Sequence, residues 1–539
     1  MKVQTGYLYH IKDEFFDQIN KKGLMINHEN GHSRPSYLAI KDKEILWFIP
    51  LSTRVDKYRT IIAKKEKKYG LLKGVLILVA LAFVLSWVIP TGGYTSSGYA
   101  SAGMARLGIY DIAYTVYYAL SFAVDKIVIL LAIGAFYGVL TKTQAYERIV
   151  SGIARKIKHK KIAVVIISVI LAALTSLLTQ TFVVLIFVPF IISILNRLKL
   201  DKMTILATTF GSILVGVMGA TYGTDGISMF NYYLGYTQTV PYEMPALLIR
   251  SGVLVIGLVL FNFFTLSHMS KASKSAESID LFEVEVEEER AKKTKNMIPI
   301  IVVGVVLFVL CILGFVNWSG NFGVEAFDNF HTLITEDIKI EASGSGNDFF
   351  IFKDLLGTGI TALGSWNNIT ISAFLIIFTI ILALCYRFKM NDFIDAVKSG
   401  IKKLLLPSLC IIGAYMLMIV VYQSTYMATI VNKLLTLTDS FNIATMTLSS
   451  LLLNIFHTDL GFTGWVMGSY LPVEYVDYMS PVYTIFTSLY GFVQFFIPTS
   501  MVLGIGLVSL KVKFSDWLKY VWRFLLGMFI CLLVIFILM

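Results

Sequence analysis

Charge is scarce in this 539-residue chain: 15% of its residues are Asp, Glu, Lys or Arg, against 56% hydrophobic. That balance excludes the three or four soluble domains that the length alone would suggest. Cysteine is scarcer still. Cys311, Cys385, Cys410 and Cys531 all lie inside apolar segments. They read as small core residues, which excludes a disulfide framework or a cysteine metal site. Acidic residues are outnumbered 35 to 46, leaving a net charge of +11. Most of that excess falls in short loops, so it marks the cytoplasmic side of a membrane and is not a nucleic-acid signal. What the chain has instead is apolar length. Many runs reach about 20 residues, enough to cross a bilayer, and the mean hydropathy is +0.72. This is the pattern of an integral membrane protein. The opening residues are polar, so no cleavable signal peptide is expected, and the first span should act as an uncleaved insertion signal.

Residues 1–70 read as a soluble segment with short strands over Ser36–Asp42 and Glu44–Pro50 and helical patterns on either side. Lys64, Lys65, Lys67, Lys68 and Lys73 then crowd the first span, Leu71–Pro90, and place the N-terminus inside the cell. The spans expected after it are Tyr117–Leu140, Met203–Ala220, Pro245–Phe264, Met297–Val316, Ile369–Tyr386, Leu404–Val421, an interrupted Val482–Leu510, and Tyr520–Met539, which leaves the C-terminus outside. Ile162–Asn196 has basic residues at both ends and reads as a hairpin entering from the cytoplasm. Phe441–Tyr470 has only Lys433 near it and reads as a hairpin entering from outside. A charged linker, residues 267–296 with its acidic run Glu283–Glu289, divides a first half (71–266) from a second (297–539).

The two halves repeat. Leu174–Thr181 aligns without a gap onto Leu452–Asp459, 278 positions later, and the same shift carries Thr221-Tyr222 onto Thr499-Ser500. Both copies place polar residues within long apolar stretches, which is costly unless they line a cavity or are buried in protein. Paired interruptions in two halves point to a transporter's substrate site, and hairpins facing opposite sides are what an inverted repeat requires. The candidate binding residues are Thr175, Ser176, Thr179, Gln180, Thr181, Thr221, Tyr222 and Gly223 in the first half. In the second they are Asn454, His457, Thr458, Asp459, Gln494, Pro498, Thr499 and Ser500. Hydroxyls and amides can donate to a carboxylate and accept from an ammonium. The stumps of broken helices add amides for anions and carbonyls for Na⁺ or a proton carrier. The plainer alternative is that each hydroxyl bonds back to its own turn. His457 with Asp459 suits either a proton relay or a wet hairpin tip. Asp125-Lys126, in the outer third of its span, reads as a local ion pair or interface anchor ahead of a transport role. No metal or cofactor is expected.

Several stretches resemble the ion transporter superfamily: Trp87 to Gly93, Ile133 to Thr143, Leu363 to Trp366, Ile497 to Ser500 and Lys513 to Lys519. Within it the likeness is to the YfcC-type, four-carbon dicarboxylate anaerobic carrier-like group, over residues 71–539, with the p-aminobenzoyl-glutamate transporters more distant. The resemblance implies secondary active transport of small organic anions or amino acids, coupled to Na⁺ or H⁺ or run as exchange. It also implies a homodimer. Two departures bear on the substrate: Gln494 stands where the group has asparagine, and Thr179-Gln180-Thr181 replaces an acidic pair.

The N-terminal stretches Tyr9 to Phe16, Arg34 to Ile40 and Phe48 to Thr53 resemble part of a type III toxin–antitoxin endoribonuclease toxin. The resemblance implies RNA as a partner and Ser52 and Thr53 as catalytic candidates, but the lysine that should follow is missing, where Arg54-Val55 stands. A non-catalytic remnant fits better than an active nuclease. The expectation is therefore an all-α polytopic carrier in the inner (plasma) membrane, in contact with its lipids. It has about ten spans, two re-entrant hairpins, two broken helices and a small α+β N-terminal segment. The rivals are a channel, a membrane-tethered ribonuclease, and an intramembrane protease built on His457 and Asp459.

Overall fold

The computed structural model describes residues 71–95, 98–223, 244–271, 281–282, 294–341, 348–357, 359 and 361–539, together with five short strands near the N-terminus. Residues 1–68 form one compact unit and residues 69–539 another. In the first, β1 (Leu8–His10), β4 (Pro35–Asp42) and β5 (Ile45–Pro50) make an antiparallel sheet in the order β1-β4-β5, with a bulge between Leu38 and Ile40. The pair β2 (His28–Glu29) and β3 (His32–Ser33) stands apart from it. The two strands expected from sequence are therefore present. Ser52, Thr53 and the acidic run Glu283–Glu289 lie outside the described residues.

The second unit is helical throughout its apolar length. It begins with α1 (Leu71–Val88) and a two-stranded excursion, β6 (Gly92–Thr95) and β7 (Gly98–Ser101). Next come α2 (Asp111–Leu140), α3 (Gln144–Lys156) and the first hairpin: α4 (Lys160–Leu178), α5 (Thr181–Leu185) and α6 (Val188–Arg197). After α7 (Lys202–Leu206) a π-helical turn over Ala207–Gly211 leads into α8 (Ser212–Met218). The helix α9 (Met244–Lys271) follows, then α10 (Ile298–Phe315). Short helices α11 (Trp318–Phe322), α12 (Ala326–Thr332) and α13 (Ile351–Leu356) fill the connection to α14 (Asn368–Cys385). The remainder is α15 (Met390–Ser424), α16 (Tyr426–Leu435), the second hairpin of α17 (Ile443–Phe456) and α18 (Leu460–Gly468), the broken pair α19 (Met479–Val493) and α20 (Met501–Ser509), and α21 (Phe514–Leu538).

Eight of the described helices are long and apolar enough to cross a membrane. An 18-residue helix such as α1 rises roughly 27 Å, close to the hydrocarbon thickness. The chain is an all-α polytopic membrane protein. Seven of the nine spans read from sequence are among those eight, and the eighth is α4, an arm of the first hairpin. The other two fall short because Lys202–Met218 is too short and α19–α20 is broken. Four helices run well past the spans expected of them, α9 by seven residues beyond Phe264 and α21 from six residues before Tyr520. α2 begins six residues before Tyr117, and α15 joins the charged Met390–Lys403 stretch to its apolar part with Pro407 inside the helix.

Each hairpin breaks where its polar cluster falls. Thr179 takes a left-handed conformation (φ 54°) and ends α4. A non-glycine residue in that region cannot continue a right-handed helix. In the second hairpin, His457 and Asp459 are extended, and the Asp459 carboxylate accepts from the Phe462 amide at 2.8 Å to start α18. Backbone groups released by the breaks are satisfied by neighbours. Thr221 N donates to Ser176 O at 2.9 Å, Tyr137 Oη to Ile186 O at 2.9 Å, and Trp517 Nε1 to Phe495 O at 2.8 Å. Such repair is what permits a broken helix at membrane depth.

Candidate functional site

The two hairpin tips face the same cavity. Its volume is about 510 Å³, and its lining includes Thr179, Gln180 and Thr181 from the first hairpin and Asp459, Leu460 and Gly461 from the second. A pocket of that size is within the roughly 300–1,000 Å³ typical of small-molecule sites. Residues that share a register in sequence thus share a space in the fold.

The charged part of the lining comes from α2 and the second tip. Lys126 Nζ lies 3.2 Å from Asp125 Oδ2 and 3.1 Å from Asp459 Oδ2. Tyr415 Oη donates to the same Asp459 oxygen at 2.8 Å, and Asn368 Nδ2 donates to Asp125 Oδ2 at 2.9 Å. The local pair Asp125–Lys126 expected from sequence is present, and it is not the whole arrangement. Lys126 is the sixteenth of the thirty residues in α2 and bridges to the opposite hairpin. The signal was visible, since an ionisable residue inside a span is a functional hypothesis by default. Its partner was not. The aromatic walls, Phe122, Trp366, Phe462 and Trp465, carried no signal of their own, because aromatic residues in a membrane protein usually serve interfaces and packing.

Other candidates sit behind the cavity. Thr175 Oγ1 bonds back to Leu171 O at 2.8 Å, the plainer of its two readings. Ser176 Oγ donates to Gly219 O at 2.5 Å and lies 3.1 Å from Thr221 Oγ1. Arg250 donates to Thr221 O and Asn321 to Tyr222 O, while Gly223 packs against the Thr179 side chain. These residues tie the first hairpin to the end of α8. His457 and Asp459 are not partners: the His457 ring is held at 3.2 Å from Leu453 O, and Asp459 pairs as described. Thr458 is fixed through its carbonyl by Tyr490 Oη at 2.8 Å and through its amide by Met418 Sδ at 3.1 Å. Pro498 packs on Gly74 of α1.

The repeats differ in one physical respect. Among the described residues from Leu71 to Gly223, every buried side-chain polar atom has a partner. In the second half, Asn454 Oδ1, His457 Nε2, Gln494 Nε2, Thr499 Oγ1 and Ser500 Oγ are buried without one, as are the hydroxyls of Ser450, Thr484 and Ser488. Each such atom costs roughly 1–3 kcal/mol unless something polar completes it.

No protein-family model and no curated protein matches the chain. Among solved structures it is similar to the Alcanivorax borkumensis YdaH transporter, at a TM-score of 0.40 and 12% sequence identity, covering 87% of this chain and 96% of that one.

Proposed function

We propose that this chain is a secondary active transporter that binds a small organic solute, an organic anion or amino acid, between its hairpin tips and works by alternating access. The observation that carries the reading is the convergence of two tips, 278 residues apart in sequence, on one cavity. The helices around them support an inverted repeat. At the same shift the long α2 and α15 correspond, as do the short α3 and α16, and α7–α8 falls on α19, so that the end of α8 matches the break that follows α19. The unpartnered oxygens around Asn454, Thr499 and Ser500 suit a coupling cation, Na⁺ or a proton carried as hydronium. We read the N-terminal segment as non-catalytic, with no RNA partner, and the assembly as a homodimer in the plasma membrane.

Purified full-length protein in liposomes should take up its solute saturably, against a gradient, when a Na⁺ or pH gradient is imposed. Flux without saturation or countertransport would identify a channel instead. The repeat mates should also behave differently. Thr499→Val removes an unpartnered hydroxyl, so apparent affinity for the coupling cation should fall about tenfold while thermal stability holds or rises. Thr221→Val removes a hydroxyl bonded to Ser176, so it should lower stability by about 1 kcal/mol and leave cation affinity nearly unchanged. Identical behaviour of the two would mean that the Thr499 hydroxyl holds nothing.

Orientation follows from the basic loops, with the N-terminus cytoplasmic and the C-terminus external. In intact cells an impermeant thiol reagent should label a cysteine placed near Glu336 and spare one near Lys158. Labelling of both from outside would overturn the inverted arrangement.

A further inference from the structure

Resting on the transporter reading, we infer that the solute is zwitterionic: an amino acid with a bulky apolar side chain, and not a dicarboxylate. Asp125, Lys126 and Asp459 are the only charged residues among the described residues lining the cavity, two carboxylates to one ammonium. A dicarboxylate would bring two more negative charges to a place whose single cation is already shared between two acids. Like charges brought together away from bulk water repel strongly. A zwitterion adds no net charge and can exchange pairings with the groups already there.

The geometry assigns each end. Asp459 is the fixed member. Lys126, Tyr415 Oη and the Phe462 amide all meet it, and the last of these caps a helix. Asp125 is the freer one. Its contacts with Lys126 and with Asn368 Nδ2 both fall on Oδ2, and its side chain keeps 27% exposure. Beside it, Asn368 is 6% exposed, lines the cavity, and has an Oδ1 without a hydrogen-bond partner. An ammonium group carries three donors and no acceptor. Asp125 and the Asn368 Oδ1 therefore form its acceptor pair, and the solute carboxylate takes Lys126 in place of Asp125. The body of the solute then lies against Phe122, Phe462, Trp366 and Trp465, large apolar faces that also favour a nearby cation. The second half's unpartnered oxygens remain available for the coupling ion.

The test uses the full chain in detergent and in liposomes, with four probes: L-phenylalanine, 3-phenylpropionate (no amine), 2-phenylethylamine (no carboxylate) and succinate. L-Phenylalanine should raise the unfolding temperature, and each one-ended analogue should bind at least tenfold more weakly. Asp125→Asn should weaken L-phenylalanine at least tenfold and leave 3-phenylpropionate as good as before or better. A misfolded variant would lose both, so that selective change is specific to the inference. Equal losses for the two probes, or tighter binding of succinate than of L-phenylalanine, would overturn it. Saturable accumulation of succinate in place of L-phenylalanine would overturn this inference and leave the transporter reading standing. Binding of L-phenylalanine with the expected Asp125→Asn selectivity, but no saturable uptake of any probe, would overturn the transporter reading and uphold the assignment of the two ends.

Discussion

Lys126→Met should reduce transport at least a hundredfold and destabilise the protein, the largest effect expected of any single substitution in the cavity. Lys126 is the only cation in contact with either Asp125 or Asp459 among the described residues. Methionine keeps much of the length and volume of the side chain but deletes the charge, so the two carboxylates are left facing each other. Breaking a buried ion pair by removing one partner typically costs roughly 3–5 kcal/mol. The partners here are 13–27% exposed, and solvent screening brings the expected loss to about 2 kcal/mol. Lys126→Arg should keep the fold, since the charge survives, but shift apparent solute affinity because a planar fork replaces a compact ammonium. A double-mutant cycle isolates the bridge: Asp459→Asn in the Lys126→Met background should recover part of the lost stability, because one unpaired charge is removed. Thermal unfolding and liposome uptake give both readouts. Unchanged uptake in Lys126→Met would dismiss the bridge as a surface accident and undermine the assignment of the cavity.

Much of the architecture was legible in sequence. Apolar runs near bilayer length became helices within a few residues of their expected ends, as with Leu71–Val88 for Leu71–Pro90 and Ile298–Phe315 for Met297–Val316. The breaks were legible because a polar cluster inside an apolar run has few physical explanations. Thr179 and Asp459 interrupt their helices as that argument required. Boundaries failed where amphipathic turns extend an apolar helix, as in α15, because such turns carry no hydropathy signal. The site was legible by halves. Composition flagged both tips, but it could not say that Thr175 would bond to its own turn while Gln180 faces the cavity. Nor could it join Lys126 to Asp459, since that pairing depends on how α2 lies against the second hairpin. Repeat symmetry also promised more than it delivered. Thr221 and Thr499 occupy matching positions, yet one hydroxyl is bonded and the other is not.

Gly400→Leu should prevent a stable fold, and the reason lies far from the cavity. α2 and α15 cross with almost no side chain between them. A Cβ on Gly400 would lie 2.0 Å from Gly134 O, and one on Gly138 would lie 2.3 Å from Ala396 O. Gly134-xxx-Gly138 on one helix and Ala396-xxx-Gly400 on the other form the small-residue surface that lets helices approach closely in a membrane, where packing replaces the hydrophobic effect as the driving force. These two helices also carry the site: α2 holds Asp125 and Lys126, and α15 holds Tyr415. A bulky side chain at the crossing must push them apart, and backbone on both sides leaves no soft neighbour to yield. Gly400→Ala should cost about 1–3 kcal/mol through overpacking. It should also lower uptake by more than its stability loss explains, since a shift of about 1 Å at a binding constellation can cost roughly a hundredfold. Gly400→Leu should yield little monodisperse protein. Gly304→Ala on α10 is the control, because its added Cβ would meet nothing within 4 Å, and it should be neutral or slightly stabilising. Yield, thermal unfolding and uptake measured across the three variants decide the matter. If Gly400→Leu folds and transports like Gly304→Ala, the α2–α15 crossing is not the scaffold that holds Lys126 against Asp459.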